Sequence, residues 1–213
     1  MRVALAGLRA ISGRTLQSQR RLVGELARRR RPAFADVVRT THVFATSYAA
    51  VDRDLPRLFA EKPDLVLIFG VAGRRRYLSV ETRARNALSV LHPDVSGHRP
   101  ARGTIECGKP GALRGAAPFA QLLGAVRPSG FPARLSRDAG RYLCNYAYWR
   151  ALETARGTPT LVQFVHIPYI KLPPRRRRSR RKTLAFPPLL AAAEMLLVAL
   201  IVSVRTNCCG KKS

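Results

Sequence analysis

A short run of large apolar side chains, Leu65 to Phe69, most strongly limits how this chain can fold. Pro63 and Asp64 precede the run, and a glycine turn at residues 70–73 follows it. An unbroken apolar run of this length, bounded by turn residues, is typical of a strand that is buried on both faces of a parallel sheet. We therefore expect an α/β protein in which helices cover both faces of the sheet.

The residues before this run repeat a strand–helix pattern twice. Residues 2–7 predict a first short strand, and apolar side chains at residues 16–26 recur at helical spacing up to a break at Pro32. Residues 35–44 alternate as in a strand, and residues 48–60 have the period of a second helix. The order βαβαβ predicts a three-layer α/β/α sandwich with a mostly parallel central sheet.

Two side chains with catalytic chemistry follow a long irregular connection at residues 88–115, which is typical of a functional cover. Cys144 falls near the start of a predicted helix, where unpaired backbone N–H groups favour a thiolate. His166 falls at the carboxyl end of a predicted strand, residues 161–168. Because the two come from consecutive βα elements, we expect a parallel sheet to set them side by side. Taken alone, each also has a structural interpretation, as a small buried apolar side chain or a hydrogen-bonded core histidine.

The chain carries a high positive charge, +27 from 39 Lys and Arg against 12 Asp and Glu. Such a charge is typical of proteins that bind nucleic acid or an anionic membrane. The basic residues are spread along the chain, however, and no zinc-finger, RNP-like or basic heptad pattern accompanies them. We therefore expect nonspecific adhesion to polyanions at low salt and no specific nucleic-acid partner.

The end of the sequence divides into three segments that follow a core at residues 1–170. Residues 171–186 form a basic connector, residues 187–205 an apolar helix, and residues 206–213 a short tail. Within the helix, residues 189–204 are apolar enough to cross a membrane. The alternative is a final helix that packs on the sheet, which Glu194 favours because a carboxylate in mid-bilayer costs about 2.5 kcal/mol or more. We expect the packed helix.

Cysteine and histidine usage argues against several kinds of site. The four cysteines show no disulfide framework and the first residues lack the apolar stretch of a secretion signal, so we expect a reducing cytoplasm. The four histidines lie far apart, with no cysteine or carboxylate at ligand spacing, which predicts no metal site. No G-x-G-x-x-G pattern follows the run at residues 65–69, so we expect no dinucleotide cofactor.

Three segments between Pro63 and Pro168 stand in a specific order and spacing. They are Pro63-Asp64-Leu65-Val66 with the glycine turn, Glu81 and Asn86; Ser136-x-x-Ala139-Gly140-x-x-x-Cys144-Asn145 with Tyr146, Tyr148 and Trp149; and Phe164-Val165-His166-Ile167-Pro168. Together they resemble the pyroglutamyl peptidase I family, which comprises cysteine peptidases that remove an N-terminal pyroglutamate.

The resemblance implies a catalytic mechanism and a substrate. In the family pattern, Cys144 would be the nucleophile, His166 the general base and acid, and Glu81 the carboxylate that orients the histidine. The substrate would be a peptide with an N-terminal pyroglutamate, and no cofactor would be needed. Relatives of this type often form dimers or tetramers, so a homo-oligomer stays open as an alternative.

The chain departs from the family pattern where the lactam ring of the substrate would bind. Many members carry phenylalanines in an early loop, and the corresponding positions here are Leu8 and Ile11. Apolar character is retained, but aromatic stacking is lost. We expect these two residues, together with Val71 and Leu143, to contact the substrate.

A second departure concerns an arginine that follows the glutamate segment in the family. The aligned position here is Leu91, and losing one oxyanion donor can lower the rate about 10²- to 10³-fold. We hypothesise that Arg83 or Arg85 supports the oxyanion or the substrate instead. The alternative function is a catalytically weak or inactive relative that binds polyanions or an acidic membrane surface.

Overall fold

A computed structural model describes residues 1–8, 13–170 and 185–209, with the backbone alone described at 13–18 and 208–209. Most of the predicted basic connector, half of the predicted tail and Ile11 lie outside the described residues. Short 3-10 helices occupy Pro32–Phe34 and Arg127–Ser129. The main elements are β1 (Arg2–Leu8), α1 (Gly13–Arg28), β2 (Val38–Phe44), α2 (Tyr48–Ala60), β3 (Leu65–Ala72), β4 (Leu78–Glu81), β5 (Arg83–Arg85), β6 (Ala112–Arg114), α3 (Phe119–Val126), β7 (Ala133–Ser136), α4 (Leu143–Thr154), β8 (Leu161–Pro168) and α5 (Phe186–Cys209).

Six strands form the central sheet in the order β2-β1-β3-β8-β4-β7. All neighbouring pairs are parallel except β8 and β4, which are antiparallel. The predicted central strand is β3, and residues 65–69 within it are fully buried. This arrangement confirms the predicted mostly parallel sheet.

Alternation along β3 sends its side chains into two separate cores, as a strand covered on both faces requires. Leu65 and Leu67 pack with apolar residues of α1, α3 and α5. Val66 and Ile68 pack with apolar residues of α2 and α4. The molecule is therefore the predicted three-layer α/β/α sandwich.

The expectation that Cys144 and His166 come from adjacent parallel βα units is wrong. Strands β7 and β8 are consecutive in the chain, but β4 lies between them and β7 runs antiparallel to β8. The cause is the connection at residues 73–77, which is far shorter than the dozen or so residues that a parallel crossover needs. Strand β4 therefore reverses direction, and β7 follows it.

The final helix α5 begins at Phe186, earlier than predicted, and includes Pro187 and Pro188. Proline is tolerated there because N–H groups in the first turn have no intrahelical partner. The helix is long and apolar enough to cross a membrane, yet 56% of its most apolar stretch is buried inside the protein. Glu194 is also buried, and its Oε1 accepts a hydrogen bond of 2.6 Å from the Nε of Arg31. The structure thus shows α5 as the packed helix of the sandwich.

Candidate active site

Strands β8 and β4 are neighbours inside the sheet, and they bring His166 and Glu81 together. His166 pairs in register with Ser79, two residues before Glu81, so the two side chains are diagonal neighbours on one face. The Nδ1 of His166 lies 2.8 Å from the Oε1 of Glu81. Both side chains are buried, so this polar pair forms away from bulk water.

Cys144 reaches the same place from α4. It is the second residue of that helix, after Tyr142 at the N-cap and Leu143, so its backbone N–H is among those without an intrahelical acceptor. Gly70 on β3 makes room for the thiol, because a Cβ there would lie only 3.0 Å from the Sγ of Cys144. The register pairs Gly70 with His166, which places the thiol beside the imidazole.

The surroundings of His166 favour its protonated form. Burial by itself would lower the pKa of the imidazole. The adjacent Cys144 and Glu81 outweigh burial through charge and hydrogen bonding, and they raise the pKa of His166 to about 9. The histidine is therefore an imidazolium at neutral pH, hydrogen-bonded to a carboxylate and to a sulfur atom.

Asn145 fixes the start of α4 against β5. Its Oδ1 accepts a hydrogen bond of 2.8 Å from the backbone N–H of Arg85. Its Nδ2 donates to the carbonyls of Arg85, at 2.7 Å, and Ala87, at 3.0 Å. The amide is completely buried, so these three bonds hold the residue that follows Cys144 in one orientation. The sequence motif contained Asn145 but gave it no role.

The two arginines that we expected near the oxyanion hold the loop before α4. The Nε of Arg83 donates to the carbonyl of Arg137 at 2.9 Å. The Nη1 of Arg85 lies 3.4 Å from a carboxylate oxygen of Asp138. The aligned Leu91 is 73% exposed. The observed contacts of both arginines thus lie with the loop that leads to the thiol.

The predicted substrate-contacting residues divide between the two faces of the sheet. Leu8 and Leu143 are buried in the core between the sheet, α2 and α4, on the side of Gly70 and Phe164. Val71 packs against the opposite core, because alternation turns it away from the face on which Gly70 meets the thiol. The side chain of Val71 therefore faces away from the thiol, and its contact with the substrate stays a prediction.

Arg75 contacts this site, although the sequence did not single it out. Its Nη1 donates to the Oε1 of Glu81 at 2.6 Å, and its Nη2 donates to the carbonyl of Asp138 at 2.7 Å. Residues 74–76 are three consecutive arginines with no periodic signal, so only the structure shows which of them points inward. Within the described part of the chain, no three His, Cys, Asp or Glu side chains are grouped as a metal site requires.

A thiol, an imidazole and a buried carboxylate in contact on an α/β sandwich are the groups that hydrolases with a cysteine nucleophile use. The family model for pyroglutamyl peptidase matches residues 1–207, and the chain belongs to that family. The family match gives no support to the alternative of a noncatalytic binder of polyanions.

Individual relatives agree with this assignment. The chain is 32% identical over 177 residues to the pyrrolidone-carboxylate peptidase of Thermococcus onnurineus, covering 80% of this chain and 84% of the relative. It is 30% identical over 172 residues to that of Gloeobacter violaceus, covering 80% and 82%. The solved pyrrolidone carboxyl peptidase of Thermococcus litoralis has the same fold, with a TM-score of 0.83 at 22% identity over 97% of this chain and 96% of that one.

Proposed function

We propose that this chain hydrolyses the N-terminal pyroglutamyl group from peptides through a thioester acyl-enzyme. The observation that carries the proposal is the continuous contact from the Cys144 thiol through the His166 imidazole to the Glu81 carboxylate. Membership of the pyroglutamyl peptidase family supports the choice of acyl group.

In the first half of the reaction, the sulfur of Cys144 attacks the pyroglutamyl carbonyl carbon. The new C–S bond moves the carbonyl electron pair onto oxygen and gives a tetrahedral oxyanion. As the oxyanion collapses, the C–N bond to the peptide breaks and the imidazolium of His166 donates its proton to the departing amine. The products are a free peptide amine, a neutral histidine and a pyroglutamyl thioester on Cys144.

In the second half, the neutral His166 acts as the base. It removes a proton from water while the water oxygen attacks the thioester carbonyl. Collapse of the second oxyanion breaks the C–S bond, releases pyroglutamate and restores the paired thiolate and imidazolium. Glu81 takes no proton in either half; it accepts the Nδ1–H bond and stabilises the imidazolium each time it forms.

The oxyanion requires donors that are in place before the reaction begins. The backbone N–H of Cys144 is suited to this role, because it lies in the first turn of α4, where the helix dipole also favours negative charge. Arg83 and Arg85 contribute indirectly in this proposal, by holding the loop at residues 137–138 from which α4 starts.

The proposal is tested with the purified chain and a pyroglutamyl-amide that releases a reporter amine. We expect release from this substrate and none from proline- or glutamine-terminated amides. Cys144→Ser should abolish release, whereas Cys107→Ser, at an exposed cysteine outside the site, should retain it. A wild-type chain that releases no amine, or full activity in Cys144→Ser, would overturn the proposal.

A further inference from the structure

Arg75 contacts two parts of the proposed site: the carboxylate that orients His166, and the loop that leads to Cys144. One side of its guanidinium binds the Glu81 carboxylate at 2.6 Å, and the other side binds the carbonyl of Asp138 at 2.7 Å. Glu81 orients the histidine, and Asp138 belongs to the loop that leads into α4 and Cys144. A single planar group thus contacts the carboxylate and the support of the nucleophile at the same time.

The carboxylate depends on this contact. The Oε1 of Glu81 is shared between Arg75 and the Nδ1 of His166, at 2.6 and 2.8 Å. The Oε2 is buried and has no hydrogen-bond partner within the described parts of the chain. A buried carboxylate that loses its charged partner is left with an uncompensated desolvation cost, so it tends to move. Arg75 therefore restricts the position of Glu81.

The loop contact is one of three from the same stretch of chain. Arg83 binds the carbonyl of Arg137, and Arg85 binds the side chain of Asp138. In the observed contacts, these two arginines hold the loop without touching Glu81. Arg75 differs from them because it contacts both the loop and Glu81.

On the basis of the function proposed above, we propose that Arg75 is a positioning residue, which acts on the reaction through Glu81. It holds that carboxylate in a fixed position relative to the loop that leads into α4 and Cys144. The planar fork of arginine is needed for this, since two donors on one rigid group can serve two acceptors at once. A lysine would carry the charge but serve the pair of acceptors poorly.

The first test compares Arg75→Gln with Arg74→Gln and Arg76→Gln, which remove the same charge from exposed neighbours. Loss of a charge-assisted hydrogen bond predicts that kcat falls about 10- to 100-fold in Arg75→Gln, while KM changes less than about threefold. The two control variants should stay within about twofold of the wild type. Arg75→Lys should recover part of the lost kcat.

The decisive test is a double-mutant cycle with Glu81→Gln. If Arg75 acts through Glu81, Arg75→Gln costs much less in the Glu81→Gln background than in the wild type. A residue that merely stabilises the fold would show the same cost in both backgrounds. Additive losses, or unchanged kcat in Arg75→Gln, would overturn the proposal.

A second readout keeps this test separate from the proposed function. Iodoacetamide alkylation of Cys144 needs no substrate, and it can be followed by mass spectrometry on the tryptic peptide 142–150, which contains one cysteine. The effects of Arg75→Gln and Glu81→Gln on the alkylation rate should be non-additive even where no pyroglutamyl-amide is cleaved. Additive effects would count against a positioning role for Arg75. Circular dichroism and thermal unfolding check each variant, and Arg75→Lys replaces Arg75→Gln in the cycle where the latter does not fold.

Discussion

Replacing Gly70 with alanine would test the placement of the thiol against the end of β3. The added methyl group would lie 3.0 Å from the Sγ of Cys144 and 2.7 Å from the Cζ of the Phe164 ring. Optimal contacts between carbon atoms are about 3.5–4.0 Å, so the neighbours must move by roughly 0.5–1 Å. Phe164 is completely buried in β8, so the start of α4 has to take part of the shift.

The size of the effect follows from this geometry. Overpacking a core position costs about 1–3 kcal/mol of stability, and displacement of a reacting group by about 1 Å can cost about 10²-fold in rate. We therefore expect Gly70→Ala to lower the urea midpoint and to lower kcat/KM on a pyroglutamyl-amide by about 10²-fold.

Gly73→Ala is the matched control, because a Cβ at Gly73 meets no atom within 4 Å. Its activity should stay within about twofold of the wild type. Activity in Gly70→Ala equal to that of this control would contradict the placement of the thiol against β3. A stability loss in Gly70→Ala with unchanged kcat/KM would show that only Phe164 moves, and it would contradict the contact between Gly70 and the thiol.

Two further predictions concern His166 and Asn145. Because the pKa of His166 is raised to about 9, the imidazolium is present below that pH and lost above it. We therefore expect kcat/KM to fall on the alkaline side with a midpoint near 9. A fall near the ordinary histidine pKa of about 6.5 would count against the pairing of His166 with Cys144 and Glu81. Asn145→Ala removes three hydrogen bonds to part-buried backbone groups of Arg85 and Ala87, so it should lower the free energy of unfolding by about 1–3 kcal/mol in urea titrations. A loss of under about 0.5 kcal/mol would remove Asn145 from the support of α4.

Much of the fold could be predicted because hydrophobic periodicity records burial directly. The observed bounds of α2 at residues 48–60 and of β8 at residues 161–168 are the predicted ones. Strand β2 begins only at Val38, because Pro32 starts a 3-10 helix and delays the extended segment. Local pattern thus identified β1, β2, β3 and β8 and the helices α1, α2 and α5 within a few residues, but it did not predict β4, β5 or β6.

Strand order could not be predicted from the same patterns. Periodicity reports which face of a strand is buried, but it does not report which strand lies beside it. The insertion of β4 between β8 and β7 depends on the direction that the short connection at residues 73–77 imposes. Cys144 and His166 consequently meet through β3 and β8, which the residue pairing of Gly70 with His166 shows.

The residues of the site also divide into those that the sequence could predict and those that it could not. Cys144 and His166 could be proposed from their places at a helix start and a strand end, whereas Glu81 was recognised only through the family resemblance. Arg75 carried no signal at all, since one inward-facing arginine in a run of three looks like its neighbours in sequence. Its importance comes from two distances, to Glu81 and to the carbonyl of Asp138.

Mass spectrometry of the intact chain, quenched in acid during turnover of a pyroglutamyl-amide, tests the proposed acyl-enzyme most directly. We expect a species heavier than the free chain by one pyroglutamyl group, with the added mass on peptide 142–150 and absent from Cys144→Ser. Turnover with no such adduct at Cys144, or an adduct located on another residue, would contradict it.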